Sequence, residues 1–130
     1  MLSLCFADPS RIPPQRIAEA VAEVERRGGL AHTETAFTSS LRALVGSYLV
    51  RGPQSLWSRA AEVSAPTLLV WGVQDRLVDV GLSSRAVRTF PDARLLVLED
   101  VGHVAQMERP DVVARAFLGL LEDVRERPAA

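Results

Sequence analysis

Along the first half of the chain apolar residues recur at three- and four-residue spacing. Beyond Pro66 they gather into unbroken runs. From about Pro14 to Arg27, Ile17, Val21 and Val24 share one face of a predicted helix. Prolines at its entry suit a first turn, and Gly28 and Gly29 end it. A second helix is predicted from about Glu34 to Val50, with Phe37, Leu41, Leu44, Val45 and Tyr48 as its apolar stripe and Gly52 and Pro53 as its stop. The stretch "SLWSRAAE" predicts a short third helix with Ser55 as its cap.

The run "TLLVW", Thr67 to Trp71, has the continuous apolar texture of a strand buried on both faces. "VGLSSRAVRTF" reads as a helix ended by Pro91, and "ARLLVLE" as a second buried strand. "PDVVARAFLGLLEDV" reads as an amphipathic helix with Pro110 in its first turn. The order β-α-β-α with short links predicts an α/β fold with parallel strands and a right-handed crossover. The chain thus divides into a helical segment, residues 1–63, and a βαβα portion, residues 64–130. Two parallel strands are too few for a stable sheet, so the pattern is expected to be the carboxyl-terminal end of a larger one and the chain an incomplete piece of it.

Composition narrows this picture in a few places. At 130 residues and 48% hydrophobic content the chain can bury a core and does not read as disordered. A net charge of −1 gives no electrostatic reason to expect nucleic acid or an anionic membrane as partner. Cys5 is the only cysteine, which excludes a disulfide framework and paired zinc ligands. As a nucleophile it needs a base that its own neighbourhood lacks, so it reads as a buried or incidental thiol. The stretch around it is too short and uncharged for a signal peptide, and no run is long enough to span a membrane. A cytoplasmic protein is expected.

The chemistry concentrates after the two strands. In open parallel sheets functional groups gather on loops leaving the carboxyl ends of strands. The first such loop, "WGVQDRLVD", carries Asp75, and the second, "EDVGH", carries His103. Neighbouring strands lie about 5 Å apart, within reach of a carboxylate–imidazole hydrogen bond. Such a bond fixes the ring's tautomer and stabilises the imidazolium formed during proton transfer. Gly72 is expected to allow a tight turn before the acid, and Gly102 a close backbone approach beside the histidine. Taken singly, the aspartate also reads as a turn or cap residue, and the histidine as a packing residue.

The segments "PTLLVWGVQDRLV" and "GHVAQMERPDVVARAFLGLLE" resemble the carboxyl-terminal end of the α/β-hydrolase fold. There W/H-G-x-x-D-x-x-V-P supplies a triad acid and G-H-x-x-x-x-E-x-P a triad histidine. The resemblance covers roughly the last half of the chain. It implies that Asp75 is the acid and His103 the general base, which deprotonates a nucleophile and then protonates the leaving group of an ester- or acyl-type substrate. The first half is similar to the helical cap many such enzymes insert. On that footing Phe37, Leu41, Tyr48 and Trp57 are candidates to line a site for a small hydrophobic ester-like substrate, although the same stripe also reads as ordinary packing. Epoxide-hydrolase relatives use cap tyrosines, and Tyr48 is the only tyrosine here. No metal or organic cofactor is implied. Asp79 stands where the family has proline and reads as a surface turn residue. Glu108 matches the family glutamate and is expected to stabilise a helix start near the positive end of its dipole.

The family nucleophile sits in a G-x-S-x-G elbow, and the 130 residues contain none. "GLSSR" from Gly81 lacks the closing glycine, so Ser83 and Ser84 read as helix-start residues, and Gly46–Ser47 falls inside a helical pattern. A histidine–aspartate pair alone lacks the groups that supply most of the rate in acyl transfer. The chain by itself is therefore expected to be inactive, as a truncated or fragmentary hydrolase. The alternatives are one half of a split enzyme, completed through an exposed sheet edge by an amino-terminal half or a second copy, and a non-enzymatic interaction module.

Overall fold

A computed structural model describes residues 2–127. In chain order its elements are α1 (Leu2–Cys5), α2 (Pro14–Gly28), α3 (Thr33–Ser47), α4 (Leu56–Ala60), β1 (Thr67–Gly72), α5 (Ser83–Thr89), β2 (Ala93–Leu98), α6 (Ala105–Glu108) and α7 (Pro110–Glu126). They form two compact units. One is Ile12–Ala60; the other joins the described part of residues 1–11 to that of residues 61–130.

The helical unit follows the apolar periodicity closely. Pro14 opens α2 at a position where its missing N–H costs nothing. Glu23 pairs with Arg26 and Arg27 one turn on, at 2.7 and 2.6 Å. Those guanidinium groups hold its carboxyl down at about 2. α3 ends at Ser47, three residues before the expected end at Val50. The N–H groups of Tyr48, Leu49 and Val50 bond three residues back, so the last turn tightens before the chain leaves the helix. Gly52 then takes φ 73°, a conformation that breaks the path. Ser55 caps α4, its hydroxyl accepting the Ser58 N–H at 3.2 Å. No residue of α2, α3 or α4 is buried.

In the sheet unit β1 and β2 pair in parallel, with Thr67 beside Ala93 and Gly72 beside Leu98. The unit has the expected βαβα order, two parallel strands with flanking helices. Its core consists of Phe6, Ala86, Val101, Ala105 and Leu120, with Val101 wholly enclosed. The strands themselves are less buried than their composition suggested. Residues 67–71 of β1 are half-buried, and Arg94 and Val97 of β2 are exposed. Burial on both faces needs cover above and below and neighbours on both edges, whereas each strand here pairs only with the other among the described residues.

Residues 2–11, grouped by sequence with the helical segment, belong instead to the sheet unit. Phe6 is buried there, and residues 5–8 hydrogen-bond to the chain that follows β2.

Candidate active site

The loop after β1 is wound around Asp75. The Asp75 N–H donates to the Gly72 carbonyl at 3.2 Å, turning the chain. Asp75 Oδ1 then accepts the N–H groups of Leu77 and Val78 at 2.8 and 2.9 Å. This side-chain turn fixes the carboxylate plane and leaves Oδ2 for another donor. The Trp71 indole N–H, bonded to the Val78 carbonyl at 3.0 Å, fastens the far end of the loop.

The loop after β2 brings the histidine to that oxygen. Asp100 turns the chain at φ 55°, a left-handed conformation that aspartate tolerates better than most residues. Val101 follows into the core, Gln74 bonding both its N–H and its carbonyl, at 3.1 and 3.0 Å. His103 Nδ1 then lies 2.9 Å from Asp75 Oδ2. The aspartate side chain is 6% exposed and the imidazole 39%.

Burial pushes the Asp75 carboxyl up. The Val78 N–H, the His103 ring and the Leu77 N–H outweigh that effect and hold it below the ordinary carboxylate range. Asp75 is therefore ionised at neutral pH and can only accept. The bond to it requires the proton on Nδ1, which leaves Nε2 as the basic atom of a neutral ring.

Two glycines make this approach possible, for reasons the sequence conveyed only in part. A Cβ on Gly72 would lie 2.2 Å from the Val101 carbonyl oxygen and 2.3 Å from that of Gly102. The tight turn expected at Gly72 is present, closed by the Asp75 N–H, but what requires glycine there is the passage of the histidine loop over the strand end. A Cβ on Gly102 would lie 2.7 Å from both the Ala7 nitrogen and the Cys5 carbonyl oxygen.

That second contact involves a segment sequence reasoning left out of the site. The Cys5 carbonyl accepts the N–H groups of His103 and Val104 at 2.8 and 3.3 Å. Arg11 reaches the Asp100 carbonyl at 2.6 Å, and Arg76 the Ser3 carbonyl at 3.0 Å. Glu108 is a correction as well. It closes the four-residue α6 and does not start a helix. Its buried carboxylate accepts the Gly102 N–H at 2.6 Å and the N–H groups of Ala7 and Asp8.

The other singled-out residues have local roles. Asp79 caps the 3-10 turn Val80–Leu82, its carboxylate accepting the Gly81 N–H at 2.6 Å. Ser83 begins α5, and Ser47 bonds back to the Leu44 carbonyl inside α3. Phe37, Leu41, Tyr48 and Trp57 all lie in the helical unit, the first three exposed and Trp57 half-buried. Among the described residues no group of three or more His, Cys, Asp or Glu side chains could hold a metal ion, and no helix is long and apolar enough to cross a membrane.

Residues 19–110 match the α/β hydrolase fold family. The chain is similar to a 2-hydroxy-6-oxononadienedioate/2-hydroxy-6-oxononatrienedioate hydrolase of Comamonas testosteroni. The two are 31% identical over 121 residues, which is 93% of this chain and 40% of that protein. It is also similar to hydrolase 2 of the same designation from Pseudomonas putida, at 40% identity over 65 residues, or 50% of this chain and 23% of that one. A solved structure of a candidate lipase from Acinetobacter baumannii AYE superposes with a TM-score of 0.74 at 23% identity, covering 95% of this chain and 40% of that one. The chain thus spans 23% and 40% of the length of these two hydrolases.

Proposed function

The chain belongs to the α/β-hydrolase fold family, and from that premise we propose that Asp75 and His103 are the acid and general base of a hydrolytic triad. The observation that carries this reading is the 2.9 Å bond from Nδ1 to Oδ2, made between loops at the carboxyl ends of paired strands. His103 Nε2 takes the proton of a nucleophile as it attacks a carbonyl carbon, and returns it to the leaving group. Asp75 holds the ring's tautomer and stabilises the imidazolium formed between the two transfers.

The electrophile is a carbonyl of a small hydrophobic, ester-like molecule. An oxo compound of the kind named for the two hydrolases offers the same reacting group. The 130 residues contain no G-x-S-x-G elbow, so in this reading nucleophile and oxyanion donors come from a segment outside them. The unpaired edges of β1 and β2 are where a further strand would add.

Replacing the matching segment of the Comamonas hydrolase with this chain tests the assignment. The chimera is expected to turn over that enzyme's substrate or a p-nitrophenyl ester, and to lose about 10³- to 10⁴-fold on His103→Ala or Asp75→Asn. An active chimera indifferent to both changes sinks the reading. The 130 residues alone are expected to cleave p-nitrophenyl acetate no faster than free imidazole; turnover abolished by His103→Ala would overturn that expectation.

A further inference from the structure

Glu108 is a buried carboxylate that the proton transfers through His103 do not use. The residue is 6% exposed, and ionised groups are not buried without compensation. Three main-chain N–H groups provide it. Gly102 donates to Oε1 at 2.6 Å, Ala7 reaches Oε1 and Oε2 at 3.2 and 3.1 Å, and Asp8 donates to Oε2 at 3.2 Å. All three donors belong to the two segments that meet beside the histidine. Gly102 directly precedes His103. Ala7 lies two residues past Cys5, whose carbonyl accepts the His103 N–H at 2.8 Å.

These bonds close a ring that runs from Glu108 to Gly102 and His103, across to Cys5, along to Ala7 and back to Glu108. The ring has no slack, because the two backbones already touch where Gly102 lacks a side chain. An apolar residue at 108 could fill the same space without a desolvation cost. It could not satisfy three donors at once.

We infer that Glu108 is a positioning residue for His103: it clamps the backbone of the histidine loop to the Cys5–Asp8 segment, so that the imidazole meets Asp75 in one orientation. This rests on His103 being the general base. Two carboxylates then divide the task, Asp75 fixing the ring and Glu108 the chain that carries it.

The test uses the full 130-residue chain, labelled with ¹⁵N, as wild type, Glu108→Gln and Asp75→Asn. Amide hydrogen exchange is read at Gly102 and His103, with Thr67 and Val73 as references bonded along the β1–β2 pair. The His103 tautomer is read from its ring-nitrogen shifts. Glu108→Gln is expected to speed exchange at Gly102 and His103 about tenfold or more, with Thr67 and Val73 little changed, and to turn a single Nδ1–H tautomer into a mixture.

Exchange that rises equally at all four amides, or a tautomer that stays single, overturns the inference and leaves Glu108 a stability residue only. Should Glu108→Gln not fold, Glu108→Asp keeps the charge, draws it back one methylene and is read with the same signs. Asp75→Asn separates the two readings. If it leaves the tautomer unchanged, the acid–base assignment itself fails; if it shifts the tautomer and Glu108→Gln does not, only the positioning role falls.

Discussion

Replacing Gly72 with alanine puts a methyl group 2.2 Å from the Val101 carbonyl oxygen, 2.3 Å from the Gly102 carbonyl oxygen and 2.6 Å from the Val101 carbonyl carbon. All three are main-chain atoms, so no rotamer change relieves the overlap. Restoring ordinary contact requires the histidine loop to lift by about 1 Å. That movement pulls on both Gln74 bonds to Val101, at 3.0 and 3.1 Å, and on the 2.6 Å bond from Gly102 to Glu108. Overpacking costs about 1–3 kcal/mol, and each weakened buried hydrogen bond about 1 kcal/mol more. The total expected is about 4–6 kcal/mol, or a fall in Tm of more than about 10 °C. Gly119→Ala is the matched control: it lies in α7 with nothing within 4 Å of the added carbon, and should stabilise by about 0.5–1 kcal/mol. Urea unfolding followed by far-ultraviolet circular dichroism reads both. The Asp75 carboxyl, followed by ¹³C NMR, should also titrate higher in Gly72→Ala as its imidazole partner withdraws. A loss below about 1 kcal/mol for Gly72→Ala would refute the contact reasoning.

Asp75 also sets a pH dependence. Its folded pKa lies below the ordinary value of about 3.9, so its stabilisation is complete above that value and is lost as the pH falls through the lower one. The gap in urea midpoint between wild type and Asp75→Asn should therefore close below about pH 4; a gap constant from pH 6 to pH 2 contradicts the sign. Arg127 pairs with Asp92 at the surface, the guanidinium exposed and the carboxylate half-buried. Arg127→Ala should leave the urea midpoint unchanged within error, since exposed pairs contribute little, and a clear drop would show a buried contribution there.

What the sequence made legible was whatever repeats locally or sits at a fixed place relative to a repeat. Thr67–Trp71 and the run from Ala93 read as strands because their apolar residues are contiguous, and α2 and α7 read as helices because theirs are spaced for one face. Asp75 and His103 could be paired on paper because strand ends specify where loops emerge, and the register that sets Gly72 beside Leu98 keeps those loops adjacent. The role of Glu108 had no such marker. Its partners Ala7 and Asp8 lie 101 and 100 residues away in sequence, and main-chain donors leave no trace in side-chain identity. Gly72 was legible only in part: a glycine after a strand suggests the turn that is found there, but its need for glycine comes from the carbonyls of Val101 and Gly102, far along the chain.

The two carboxylates show how this division shapes the site. Asp75 gives one oxygen to its own loop and the other to His103, so its plane is set locally and a sequence pattern can mark it. Glu108 gives both oxygens to main-chain N–H groups on two distant segments, so it acts only once the fold has assembled. An imidazole left 39% exposed gains little restraint from packing around its ring. Its orientation depends on the Oδ2 bond at one end and on the fixed path of residues 101–104 at the other. Losing either restraint frees a different degree of freedom, the ring's rotation in one case and the loop's height in the other. Asp75 and Glu108 variants should consequently combine non-additively both in the His103 tautomer and in the urea midpoint, because their restraints converge on adjacent residues of one hydrogen-bond network.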